Sequence, residues 1–97
     1  MRIEIRPGFE ETVLAAELPV RKAAVTLLEL LQAIDLPQLW KHPGLNFEKL
    51  HNMKVPSTGE QLYSLRVTSS ARAIACLRKG PCIVLVSLHV QHDKAYR

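Results

Sequence analysis

Two arginines, Arg66 and Arg72, flank the short segment Thr68–Ser70, and strand parity sends both to one face of a sheet if that turn is tight. The chain then runs on to His92, Lys94 and Tyr96, which come near the edge of the same face. Their types make this a cationic surface with titratable groups around it. The charge is unevenly spread along the chain. Residues 61–97 carry six Lys or Arg against Asp93, a net +5, whereas residues 1–60 carry seven against eight acids, a net −1. Such a half suggests a polyanionic or acidic partner, although charge alone slightly favours a solvated sheet face.

Cys76 and Cys82 flank "LRKGP", which predicts a hairpin turn centred on Lys79-Gly80. In that register Cys76 lies opposite Ile83 and Cys82 opposite Leu77. The thiols then point to opposite faces, a poor geometry for a disulfide. No C-x-x-C spacing supports a metal or redox role, so both are read as reduced packing residues.

The elements that position these residues follow from periodicity. "RIEIR" (Arg2–Arg6) alternates as a short strand ended by Pro7-Gly8. Phe9–Leu18 suits a short helix with Glu10 and Glu11 in its first turn. Pro19 opens a second helix reaching about Ile34, with Val20, Ala24, Leu27, Leu28, Leu31 and Ile34 on one stripe. Leu36–Leu50 is a mixed connection pinned by Trp40 and Phe47, and Asn52–Glu60 a polar loop. Three strands follow: Gln61–Val67, Ala71–Arg78 with its small alanines under the helices, and the nearly all-apolar Cys82–Val90, buried on both faces. His89 shares parity with Leu85 and Ser87, as a packed or edge histidine does.

This order predicts an α+β domain: an N-terminal strand, then two helices packed on one face of an antiparallel meander whose other face is bare. A length of 97 residues, with 47% hydrophobic and 23% charged, suits one domain, 1–97, that needs no staple. The longest apolar run, "VTLLELLQAI", is too short to span a bilayer, and "MRIEIRPGFEE" has no apolar signal region, so a cytoplasmic protein is expected.

The pieces "HPGLNFEKLHNM", "YSLRVTSSARAI" and "VSLHVQHDKAY", and above all Tyr63-Ser64-Leu65-Arg66-Val67 followed by Arg72, resemble the RelE/ParE toxin superfamily over almost the whole chain. The resemblance implies a RelE-like fold and the toxin of a type II toxin–antitoxin pair. Its RelE branch cleaves mRNA in the ribosomal A site without metal or cofactor. A ribose 2′-hydroxyl attacks the adjacent phosphate, which calls for a base, an acid for the leaving 5′-oxygen, and cations for the charge on phosphorus. By that resemblance Arg72 stabilises the phosphorane, Arg66, Lys54 and Lys94 hold backbone phosphates, and His92 or Tyr96 is the acid or base. The implied partners are the ribosome, mRNA and an acidic antitoxin covering the Arg66/Arg72 face, with no membrane. Lys54 also fits an ordinary surface lysine. Two departures stand out: Ala71 occupies a position often aromatic in RNA-cleaving members, and the sequence stops at Arg97, where that branch often carries a basic helix. The alternatives are a ParE-like gyrase inhibitor and a non-catalytic binding protein on the same fold.

Overall fold

The structure is a computed structural model that describes residues 1–91. Along the chain come β1 (Arg2–Ile5), α1 (Pro7–Ala15), α2 (Leu18–Ala33), α3 (Leu36–Lys41), β2 (Glu48–Lys54), β3 (Gln61–Arg66), β4 (Ala71–Arg78) and β5 (Cys82–Val90). The strands form one sheet in the order β1-β5-β4-β3-β2. The antiparallel meander is present, and β1 adds to it in parallel beside β5, pairing Arg2 with Cys82 and Ile5 with Leu85. The fold is α+β as the sequence predicts, with a mixed sheet and two elements that periodicity does not reveal.

Those elements are α3 and β2. Asp35 caps α3 by accepting from the Gln38 N–H at 2.9 Å, while the Gln38 side chain accepts from the Asp35 N–H, a reciprocal pair of caps. β2 is an edge strand reading "EKLHNMK", too polar to alternate. Its pairing with β3 shifts register between Lys49 and Lys54, and Asn52 sits at φ 62. The expected loop over Asn52–Glu60 thus begins only after Lys54.

The main core fills the space between helices and sheet. Ala24, Leu27 and Leu31 of α2 are buried there, with Val20, Leu28 and Ile34 half-buried on the predicted stripe. Ala71, Ala73 and Ala75 of β4 face them with almost no exposure. Phe47 is buried in this core, whereas Trp40, 47% exposed, lies edge-on against Phe47 and Tyr63 at 4.6 and 5.8 Å. Among the described residues no helix is long and apolar enough to cross a membrane.

The hairpin between β4 and β5 differs from expectation by one residue. Arg78 pairs with Cys82, so Lys79, Gly80 and Pro81 all lie in the turn. Pro81 has no N–H with which to close a two-residue turn, which favours the longer one. The shift puts Cys76 opposite Val84 and brings both thiols to the same face, correcting the predicted opposition. They remain unbonded and buried. With Val84 they form a second cluster, which Val55, Leu62 and Val86 cover. The face expected to be bare is therefore half covered, by the segment after β2.

Candidate active site

The open half of that face is organised by one irregularity in β5. Ala75 pairs with Leu85 but Ile74 pairs with Ser87, leaving Val86 as the extra residue of a bulge. Strict alternation would put Ser87 and His89 on the core side with Leu85. The bulge restores Leu88 to the core and turns Ser87 and His89 to the open face. Of the two readings of His89, packed or edge, the packed one is corrected, since it is exposed where β1 no longer flanks β5.

Helix α1 sits over the bulge. Gly8 approaches so closely that a Cβ there would lie 2.9 Å from the Val86 carbonyl oxygen. β1 ends at Ile5, opposite Leu85, so Leu88 has no strand neighbour on that side. Thr12 of α1 fills the gap: its Oγ1 accepts from the Leu88 N–H at 2.8 Å and donates to the Gly8 carbonyl at 2.7 Å.

Strand register then sets the site. One rung crosses four strands through Glu48, Ser64, Ile74 and Ser87, and the next runs through Arg66, Arg72 and His89. Residues paired directly across strands share a face, so all seven side chains rise on the same side. Glu48, Ser64, Arg72, Ser87 and His89 line an open cleft of about 510 Å³, floored by Leu62, Ile74 and Val86 and edged by Leu50 and Met53. Arg72 Nη1 donates to Ser64 Oγ at 2.9 Å and meets Glu48 Oε1 at 3.3 Å. Ser64 is buried, so it holds the guanidinium from below while Glu48 reaches it from the half-exposed edge. His89 Nε2 is 2.9 Å from Ser87 Oγ, which fixes the ring over the bulge.

The residues proposed from sequence are not all gathered here. Arg72 lies in the cleft. Arg66 stands opposite it and is exposed, but lines a separate pocket with Leu27, His42 and Leu45. Lys54, exposed at the end of β2, is absent from the cleft wall. His92, Lys94 and Tyr96 fall outside the described residues. Glu48, Ser87 and His89 escaped sequence reasoning, the first because its strand shows no periodicity, the others because a bulge leaves no signature. Of the polar groups in the cleft, the sequence proposes Arg72, and Ser64 appears only within the Tyr63–Val67 motif.

The positive charge of the C-terminal half is also less bare than it reads. Acids from the first 60 residues meet the sheet arginines: Glu48 meets Arg72, and Glu60 binds Arg78 through two hydrogen bonds at 3.0 and 3.1 Å. Glu4 lies 3.8 Å from Arg78 and 3.2 Å from Arg6. The Arg78 hydrogen bonds, helped by Thr58, pull the Glu60 carboxyl down to about 2, and burial pushes the Cys76 thiol up. Among the described residues no three His, Cys, Asp or Glu side chains gather as a metal site.

Comparison with solved structures finds the same architecture in a chain of the archaeal RelE–RelB complex from Pyrococcus horikoshii OT3, with a TM-score of 0.66, 17% identity and 93% of each chain covered. The fold is therefore RelE-like. No protein-family model matches the chain, and no curated protein matches it in sequence.

Proposed function

We propose that this chain, acting as a single domain in the cytoplasm, is the toxin of a toxin–antitoxin pair and cleaves messenger RNA on the ribosome. The observation that carries the reading is the grouping of Glu48, Arg72 and His89 around one cleft on a RelE-like sheet. Attack of a ribose 2′-hydroxyl on the neighbouring phosphate needs those three kinds of group. The Glu48 carboxylate takes the 2′-hydroxyl proton, Arg72 stabilises the charge gathering on the phosphorane, and the protonated His89 ring gives its proton to the leaving 5′-oxygen. The products are a 2′,3′-cyclic phosphate and a 5′-hydroxyl, with no metal in any step.

In the free chain Glu48 neutralises Arg72. An entering phosphate competes for the guanidinium and releases the carboxylate to act as base. Arg66, on the adjoining rung, suits a flanking phosphate. In this reading His89 is a further candidate for the acid, beside His92 and Tyr96, to which the family resemblance gives the acid or the base, and Lys94 keeps its proposed phosphate contact. The RelB partner of the similar archaeal complex supports an antitoxin as partner; its acidic character and its place over the Arg66/Arg72 face rest on our reading of the charge.

Induced expression in a bacterial host, with primer extension on a reporter mRNA, tests the reading. Wild type should arrest growth and leave in-frame cleavage sites. Arg72→Ala should remove them, consistent with the ~10²–10³-fold that one lost electrostatic donor costs. Comparing His89→Ala with His92→Ala and Tyr96→Phe identifies the acid. Arrest without cleavage would point to the gyrase-directed alternative, and no arrest to a binding protein.

A further inference from the structure

Acid–base chemistry and phosphate binding leave one side of the cleft unused. Leu50, Met53, Leu62, Ile74 and Val86 form an apolar strip beside the polar groups. Ile74 stands mid-strand on β4, between Arg72 and Cys76, on the rung that joins Ser64 to Ser87. Folding makes little use of the strip's inner part. Among the described residues, Leu50, Met53 and Ile74 belong to neither the main core nor the second cluster, and Met53 is 50% exposed. An apolar surface kept open on an interior strand marks a place for a ligand.

Resting on the reading of this cleft as the RNA-cleaving site, we propose that the strip is a nucleobase pocket, holding the base of the nucleotide whose phosphate lies on Arg72. The cleft, at about 510 Å³, is far larger than a phosphate requires and falls within the size range of small-molecule sites. The strip adjoins a guanidinium, so a ligand seated on both carries an apolar face a short linker away from an anion. A nucleotide has that form in one unit; an acidic antitoxin segment needs two side chains to supply it and would compete for the same strip. The base lies flat on the Ile74, Leu62 and Val86 side chains, with Met53 closing over its edge. Ser87, paired with Ile74 across the strands, faces the hydrogen-bonding edge of the base, and His89, paired with Arg72, stays on the side of the leaving 5′-oxygen.

Nuclear magnetic resonance titration of the full chain tests this with inorganic phosphate, ribose 5-phosphate and the four nucleoside 3′-monophosphates. Nucleotides should bind about tenfold more tightly than ribose phosphate, the scale of one apolar base contact. The methyl signals of Ile74, Leu62 and Val86 should move only with base-bearing probes. Ile74→Thr, which keeps the branched shape, and Met53→Ser, at an exposed position, should each lower nucleotide affinity several-fold and leave phosphate binding unchanged. Arg72→Ala should weaken every probe. Equal affinity for nucleotides and phosphate would overturn the base pocket while sparing the phosphate role of Arg72. Failure of all probes to bind would overturn both, and methyl shifts with an apolar peptide but not with nucleotides would assign the strip to a protein partner.

Discussion

Arg72 sits between two partners of different character, and the difference shapes what substitutions should do. Its contact with Glu48 is a half-exposed ion pair, worth about 1 kcal/mol or less. Its hydrogen bond to Ser64 reaches a buried hydroxyl and is worth somewhat more, about 1–3 kcal/mol, because its loss leaves that group without its partner. Glu48 is thus a weak contributor to stability but a direct competitor for the phosphate site. Glu48→Gln should bind RNA more tightly than wild type and cut it far more slowly, since the amide neither repels phosphate nor accepts the 2′-hydroxyl proton. Paired measurements of RNA affinity and single-turnover rate check this; parallel losses in both would make Glu48 only a support for Arg72. At this scale the sequence was informative for Arg72, which alternation and motif both single out. It was silent on Glu48, whose strand carries no pattern, and misleading on His89, whose parity with Leu85 breaks at Val86.

The bulge and the helix above it act together. β5 leaves the Leu88 N–H facing a place where β1 has already ended, and Thr12 supplies the missing acceptor. Thr12→Val keeps the shape and removes that acceptor, leaving a buried donor unpaired. The expected loss is about 1–3 kcal/mol in urea unfolding, together with lower activity as the Ser87–His89 segment loosens. Unchanged stability would show that α1 does not hold the bulge. At the far end of the same face, Glu60 ties the segment after β2 to Arg78 and so keeps Val55 over Cys76 and Val84. Its carboxyl titrates lower in the folded chain than in the unfolded one, at about 2 against 4.5. The stabilisation is therefore complete above pH 4.5 and lost as pH falls through about 2. Glu60→Gln should be less stable than wild type at neutral pH, and the two unfolding curves should converge across that window. A gap independent of pH would contradict the latch. Neither device is legible in sequence, because a bulge and an edge strand are set by tertiary contacts rather than by periodicity.

Across the whole molecule the order of elements was legible apart from α3 and β2, and the assembly less so. The stripe on α2, the alanines of β4 and the apolar run of β5 each carry a clear period, and they define the core between helices and sheet. The parallel placement of β1 beside β5 is not encoded locally, since Arg2–Ile5 offers the same short pattern to either edge of a meander. The charge imbalance between the two parts of the chain is real in sequence and partly answered in space, where Glu48 meets Arg72 and Glu4 and Glu60 meet Arg78. A cleft built this way holds the Arg72 guanidinium already paired with Glu48, so an entering phosphate has to compete for it. Its chemistry is best tested by incubating the purified chain with programmed ribosomes and determining the termini of the cut mRNA. Cleavage leaving 2′,3′-cyclic phosphate and 5′-hydroxyl ends, lost in Arg72→Ala under conditions where the variant still folds, is the result this account predicts. Intact mRNA, or cleavage that Arg72→Ala leaves unchanged, would contradict it.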